Sequence, residues 1–264
     1  MRQPIFLKLV FAAAACAGAA SPLLAQQGDT VSRRSWLAGD HHIHSRYSVG
    51  WNTTTALPTP IIAGDARYPI PTNAEMARRH ELSWMVSTDH GGPNHSKLNL
   101  EQAYPELVRS RTIVPDILQF YGMEFDTPGA DHSSLIVPHS PHEHEALYDM
   151  ERRFSKRDAF PRDSTREAEP RMLEALRYMR QTTAPPVVIA NHPSRSGTGL
   201  GVYGQDTPRE LRDWNDAAPR VAVGMEGAPG HQAGAINRDG SLDTAGARGS
   251  YRLHPTMGGF DQMT

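Results

Sequence analysis

Short runs of apolar residues recur along the chain and predict buried β-strands. Five of them occupy residues 83–88, 117–125, 133–138, 186–191 and 220–226. Each has the length of a strand, and turn-forming residues separate it from its neighbours. A sixth apolar start, Trp36-Leu37, leads into the polar stretch DHHIHS. The hydrophobic pattern therefore predicts about six strands along the chain.

Helical periodicity appears between these runs. Residues 72–81 begin with Thr72 and Glu75 at the spacing of a capping box. Residues 99–110 and 169–181 have apolar side chains at helical spacing. Strands that alternate with helices favour an α/β fold with a mainly parallel sheet or a barrel. Residues 50–71 predict a long surface loop, and the glycine-rich residues 227–264 contain no convincing strand.

Metal-binding residue types lie at the ends of the predicted strands. If residues 39–44 are a strand, Asp40, His42 and His44 share one face, and two imidazoles on one face can bind one ion. An isolated H-x-H is more often a pair of solvated histidines, and a single histidine after a strand is usually a hydrogen-bonded loop residue. The other predicted strands, however, also begin or end on such residues, namely His90, Glu124, His132 and His192.

Glu124 is the residue hardest to explain without a metal. It lies within an apolar strand, where a carboxylate must be paired, protonated or coordinated because its desolvation is costly. In parallel sheets and barrels, functional sites gather at the carboxyl ends of the strands. The sequence therefore predicts a metal centre at the strand ends.

Composition and charge are those of one sizeable globular domain. The chain has 264 residues, of which 38% are hydrophobic and 21% are charged. Its formal net charge of -2 provides no general field that would attract nucleic acid. The most basic stretch, residues 151–171, mixes cations with carboxylates and predicts a solvated surface segment.

The N-terminus resembles a secretory signal peptide. A short basic segment precedes the apolar residues LVFAAAACAGAA, which are too few to span a bilayer. We expect cleavage after Ala25, with residues 26–37 as a linker and the mature protein in the periplasm or outside the cell. Cleavage would remove Cys16, the only cysteine, so no disulfide is expected. Lipid attachment at Cys16 is the alternative, and no other segment predicts a membrane span.

Taken together, the motifs GDHHIHSRYS, ELSWMVSTDHG, YGMEFD, DHSSLIV and VVIANHPSR resemble those of the PHP (polymerase and histidinol phosphatase) domain family. They follow one another in the family's order, from about residue 38 to about residue 231. The resemblance implies a distorted seven-stranded (β/α) barrel over residues 38–264. It also implies two or three divalent ions and hydrolysis of phosphoesters.

The resemblance assigns roles to individual residues. It implies His42 and His44 as ligands of a first ion, His132 and His192 as ligands of a second, Glu124 as a bridging carboxylate and His90 as a ligand of a third ion. His42, His44, Glu124 and His192 are expected to carry the catalytic chemistry. Arg195, the last residue of the motif VVIANHPSR, is either a contact for a substrate phosphate or a surface arginine without a partner.

Two family features are missing from the sequence. The family's Asp or His seven or eight residues after the first histidine is replaced by Val49 and Gly50, and Asp65 lies far along the predicted loop. The family's final Asp-x-His is also absent, because Asp261 is followed by Gln and Met. We therefore expect a chain that is incomplete before the last strand of the barrel.

Three functions are compatible with these residues. Imidazoles with one carboxylate favour Zn, Mn or Fe, which would activate water against a small-molecule phosphoester. Asp40 and Asp89 are candidates for orienting the histidines. An amidohydrolase-type enzyme also begins with H-x-H, but it usually needs a Lys at a strand end, and none ends a predicted strand. The third possibility is a non-catalytic protein that binds a metal or a phosphorylated ligand. The sequence leaves the substrate and the oligomeric state open.

Overall fold

All the predicted strands are present and form one six-stranded sheet. The computed structural model describes residues 35–196 and 201–227. The strands of the sheet are β1 (Gly39–Ile43), β4 (Trp84–Ser87), β5 (Leu118–Asp126), β6 (His132–Val137), β7 (Val187–Asn191) and β8 (Ala222–Met225). They are hydrogen-bonded in the order β1-β4-β5-β6-β7-β8. The signal peptide, Cys16, most of the linker and residues 228–264 lie outside the described residues.

The sheet is mixed rather than mainly parallel. β1, β4 and β5 run parallel, as do β7 and β8, whereas β6 is antiparallel to both of its neighbours. The cause is the short connection of residues 127–131, because a parallel crossover needs about a dozen residues or more. Asp126 therefore pairs with His132, and the first residue of β6 lies at the edge where β5 ends.

The sheet curls into a half-barrel. β1 and β8 are the two outer strands in the hydrogen-bonding order. Yet Nδ1 of His42 on β1 lies 2.6 Å from Oε1 of Glu226, which directly follows β8. The chain is thus a mixed α/β protein with a curled six-stranded half-barrel sheet and surrounding helices.

The predicted loop at residues 50–71 contains a small hairpin. Strands β2 (Gly50–Asn52) and β3 (Thr59–Ile61) pair antiparallel outside the main sheet. β3 is fully exposed and each strand has three residues, so neither leaves a hydrophobic pattern in the sequence. The prediction of a long surface loop was therefore wrong in part.

Helices cover the sheet. They are α1 (Ile70–Arg79), α2 (His95–Leu98), which continues through a π-helix (Asn99–Ala103) into α3 (Tyr104–Ile113), α4 (Glu143–Phe154), α5 (Glu169–Gln181) and α6 (Pro208–Ala217). α5 has the predicted bounds. The prediction of a capping box at Thr72 was wrong, because α1 begins after Pro69 and Thr72 lies inside its first turn. The sequence pattern did not predict α4 or α6.

The main core lies between the strands and α3 to α6. Its fully buried side chains include Phe125 and Leu135 of the sheet, Leu147 of α4, Leu176 of α5 and Trp214 of α6. Each large apolar side chain buried here contributes about 1.5–3 kcal/mol. The packing therefore fixes β5 and β6, the strands that carry Glu124 and His132.

The basic stretch at residues 151–171 is not a wholly solvated segment. Glu151, Phe154, Ser155 and Asp158 are buried. Asp158 accepts hydrogen bonds from the backbone and hydroxyl groups of Ser96, which ties this stretch to α2. The alternating charges of residues 151–171 gave no indication of these buried contacts.

Candidate metal centre

The six predicted ligands meet at one edge of the curled sheet. His42 and His44 come from the end of β1, His90 follows β4, Glu124 lies near the end of β5, His132 begins β6 and His192 follows β7. The reversal of β6 places His132 at this edge, because its first residue pairs with Asn191 near the end of β7.

Glu124 is at the centre of the cluster and is only 2% exposed. Its Oε1 lies 2.8 Å from Nε2 of His192 and 3.1 Å from both Nε2 of His42 and Nδ1 of His132. Its Oε2 lies 3.1 Å from Nε2 of His44. Burial opposes ionisation, but the close contacts with the four imidazoles outweigh it and hold the pKa of Glu124 well below its usual value. The carboxylate thus connects imidazoles from three strands.

Two groups of three side chains have the spacing of metal ligands. In each group the ligand atoms lie within 4.8 Å of one another. The first group is His42, Glu124 and His192, and the second is His44, Asp65 and His90. Nε2 of His42 lies 3.1 Å from Nε2 of His44, so the two groups are contiguous.

Asp65 lies far from the histidine pair in the sequence, but the fold brings it into the metal centre. The hairpin turns the chain back so that the amide of Asp65 donates to the carbonyl oxygen of Ser48. Its Oδ2 lies 3.3 Å from Nδ1 of His44 and 3.3 Å from Nε2 of His90. Asp65 thus supplies a carboxylate that Val49 and Gly50 cannot provide. No sequence signal marked it, because the hairpin itself was not predicted.

Glu226 is a second carboxylate that the sequence analysis missed. Its Oε1 contacts Nδ1 of His42, and its Oε2 accepts a hydrogen bond of 2.6 Å from the backbone amide of His192. His192 has a φ of 32°, a left-handed value that is uncommon outside glycine. The sequence did contain a signal, since the predicted strand at residues 220–226 ends on a glutamate, and the apolar run at residues 117–125 likewise has Glu124 next to its last residue.

Other carboxylates contact the outer sides of the histidines. Oδ1 of the buried Asp126 lies 3.3 Å from Nε2 of His132, and Oδ2 of Asp131 lies 3.7 Å from Nδ1 of His192. The Arg195 guanidinium forms an ion pair with Asp131. The interpretation of Arg195 as a surface residue without a partner was therefore wrong.

Asp40 and Asp89 do not orient imidazoles as expected. Oδ1 of Asp40 accepts from the backbone amide of His42. The buried Asp89 accepts from the amide of Ser45 at 2.5 Å, from the Ser45 hydroxyl at 2.7 Å and from the Ser48 hydroxyl at 3.0 Å. Asp89 therefore ties the end of β1 to the end of β4, and it binds the Ser45 amide and two serine hydroxyls rather than the imidazole rings.

Three of the histidines, His42, His44 and His132, carry raised pKa values because carboxylates surround them. Burial lowers the pKa of His42, but hydrogen bonds to Glu124 and Glu226 outweigh it and raise the value to about 9. Burial is likewise outweighed at His44, where Asp65 and Glu124 raise the pKa to about 10. At His132, Asp126 and Glu124 overcome burial and raise the pKa to about 9. Cations are thus favoured here, whether protons or metal ions.

The donor set fits a divalent transition ion. Nδ1 of His132 is buried and 3.1 Å from Oε1 of Glu124, yet it makes no hydrogen bond among the described residues. Several imidazole nitrogens and carboxylate oxygens face one another in this way. Such mixed nitrogen and oxygen ligation suits Zn, Mn or Fe. The side chains could therefore hold one or more ions around Glu124.

Within the described residues, no helix is both long and apolar enough to cross a membrane. In comparisons with known proteins, no family model, no curated protein and no solved structure matches the chain.

Proposed function

We propose that the chain is a secreted, metal-dependent phosphoesterase of the PHP type. The observation that carries the proposal is the buried Glu124, whose two oxygens face imidazoles from three strands. The order of the motifs and the position of the cluster at one sheet edge agree with this function. In the proposed fold, the six described strands belong to the distorted seven-stranded barrel that the resemblance implies. The N-terminal pattern supports export.

The two groups of ligands would hold the ions, with Glu124 between them. His42, His192 and Glu124 form one set, and His44, Asp65 and His90 form the other. Divalent ions supply two things to such a site: they lower the pKa of water, and they neutralise phosphate oxygens.

The remaining contacts keep the ligands in place. Glu226 contacts Nδ1 of His42, so that Nε2 faces the centre. Asp126 contacts Nε2 of His132, so that Nδ1 of the same ring faces Glu124. Arg195 forms an ion pair with Asp131, and it follows the candidate ligand His192 by three residues. These residues fix ring orientation before any ligand binds.

Turnover after metal reconstitution tests the proposal. The purified chain is loaded separately with Zn, Mn and Fe and is assayed with p-nitrophenyl phosphate, bis-p-nitrophenyl phosphate and p-nitrophenyl acetate. We expect hydrolysis of a phosphoester that a chelator abolishes and that added metal restores. His42→Ala should reduce it by at least about 100-fold, because losing a ligand costs at least as much as losing a group that orients one.

His142→Ala is the matched control. His142 is exposed, and its imidazole contacts Glu145. Its removal should leave activity unchanged. Chelator-sensitive cleavage of the acetate ester alone would favour the amidohydrolase type. Stoichiometric metal binding with no turnover on any substrate would favour a non-catalytic binding protein.

A further inference from the structure

A cavity of about 610 Å³ lies next to the metal centre and contains none of the predicted ligands in its wall. Its volume is within the range of about 300–1,000 Å³ that is usual for small-molecule sites. The wall combines the hairpin region near Thr55 and Pro58 with the segment that follows α4. The two regions are far apart in sequence, so the fold itself creates the cavity.

One wall residue connects the cavity to the metal centre. Nε and Nη2 of Arg157 both lie 2.6 Å from Oδ1 of Asp126. The same oxygen lies 3.3 Å from Nε2 of His132. Only one carboxylate therefore separates the cavity from a candidate ligand. Ala130, which also lines the cavity, is two residues before His132.

The wall is cationic and partly apolar. It contains Lys156, Arg157 and Arg162 and one carboxylate, Glu167, whose two oxygens accept from Nε and Nη2 of Arg162. Arg157 is half exposed and uses Nε and Nη2 for Asp126, and its Nη1 makes no hydrogen bond or ion pair among the described residues. Phe160 adds an exposed aromatic ring. Guanidinium groups beside an aromatic surface favour an organic anion with an apolar body.

Building on the proposed function, we infer that this cavity binds the alcohol part of the substrate. That part carries a second anionic group, either a carboxylate or a phosphate, on a compact apolar body. The phosphoester lies at the metal centre, and the second anion contacts the guanidinium groups of Arg157 and Arg162. The preferred substrates are therefore phosphoesters with two separate anionic groups.

Binding of non-hydrolysable probes tests the inference. Isothermal titration of the metal-loaded protein compares phenylphosphonate, 4-carboxyphenylphosphonate and 1,4-phenylenediphosphonate. We expect at least one of the doubly anionic probes to bind about tenfold more tightly than phenylphosphonate, as one charge-assisted hydrogen bond would provide. The tighter of the two identifies the second group as carboxylate or phosphate.

Arg162→Met should lower the ratio of affinities well below tenfold, because only Arg157 then remains to contact the second anion. Arg162 is exposed and pairs with Glu167, so its loss should not unfold the protein. Arg209→Met is the matched control, because Arg209 is also exposed and paired with an aspartate, Asp213, but does not line the cavity. It should preserve the ratio. Equal affinities in the unmodified protein, or a ratio that Arg162→Met leaves intact, would overturn the inference.

Failure of the proposed function would give a different result. The titration with 4-carboxyphenylphosphonate and 1,4-phenylenediphosphonate is repeated after chelation, and turnover is measured separately. Binding that depends on Arg162 and persists after chelation, in a protein that shows no turnover, supports the cavity as an anion site and refutes the proposed phosphoesterase function. Turnover of phosphoesters with no preference for a second anion retains the enzyme and refutes this inference alone.

Discussion

Glu226→Gln should weaken metal binding although Glu226 is absent from both groups of proposed ligands. Its carboxylate contacts Nδ1 of His42 and accepts from the backbone amide of His192, each at 2.6 Å. The glutamine keeps the size but loses the charge and one of the two acceptor oxygens. One of the two ligands then loses its orienting partner. Loss of such a partner costs about 10- to 100-fold in metal affinity, which corresponds to about 1.4–2.7 kcal/mol.

Competition between the protein and a chromophoric chelator for Zn at pH 7 measures this affinity. Urea unfolding of the metal-free variant should show a smaller effect, about 1 kcal/mol, because the amide oxygen can still accept one hydrogen bond. Glu145→Gln is the control, since Glu145 is exposed and pairs with His142 outside the centre. An unchanged Zn affinity in Glu226→Gln, or an equal loss in Glu145→Gln, would refute the role of Glu226.

Three further predictions concern stability. Burial lowers the pKa of the fully buried His95, but the charge of Glu151 at 2.6 Å outweighs it and raises the value to about 9. The resulting stabilisation is complete below pH 6.5 and is lost as the pH rises through 9. His95→Gln should therefore cost about 3 kcal/mol at pH 6 in urea unfolding and much less at pH 10; equal costs at both values would contradict this. Asp89→Asn should destabilise by about 1–3 kcal/mol, because Asp89 holds Ser45 and Ser48 through three buried hydrogen bonds; an unchanged unfolding midpoint would exclude that function. Zn at 100 times its dissociation constant should add about 2.7 kcal/mol of stability and raise the melting temperature by about 5–10 °C, whereas no shift in a thermal scan would indicate that the folded state does not bind the ion.

The sequence predicted the strands of the sheet well because five of the six lie in largely apolar runs. The direction of β6 did not follow from hydrophobic periodicity, which carries no information on pairing. It followed from the short connection at residues 127–131, a length that the sequence already contained. The β2–β3 hairpin could not be predicted, because strands of only three residues, of which β3 is exposed, lack a periodic signal.

The candidate site was also predicted from a local feature of the sequence. Glu124 stood out because a carboxylate in an apolar strand requires partners, and the structure supplies four imidazoles. Asp65 did not stand out, since its position depends on the hairpin. His95 lies in helix α2, fully buried against Glu151 of α4, and no periodic pattern marked this contact. Long-range polar pairs of this kind depend on tertiary packing rather than on local sequence.

The metal content of Glu124→Gln tests whether Glu124 bridges metal ions. Elemental analysis is carried out on the unmodified protein, on Glu124→Gln and on His142→Ala, each prepared without chelator and shown to be folded by circular dichroism. We expect at least one Zn, Mn or Fe per chain in the unmodified protein and in His142→Ala. We expect almost none in folded Glu124→Gln, because an amide cannot balance the charge of two ions. Full metal content in Glu124→Gln, or no transition metal in the unmodified protein, would contradict the account.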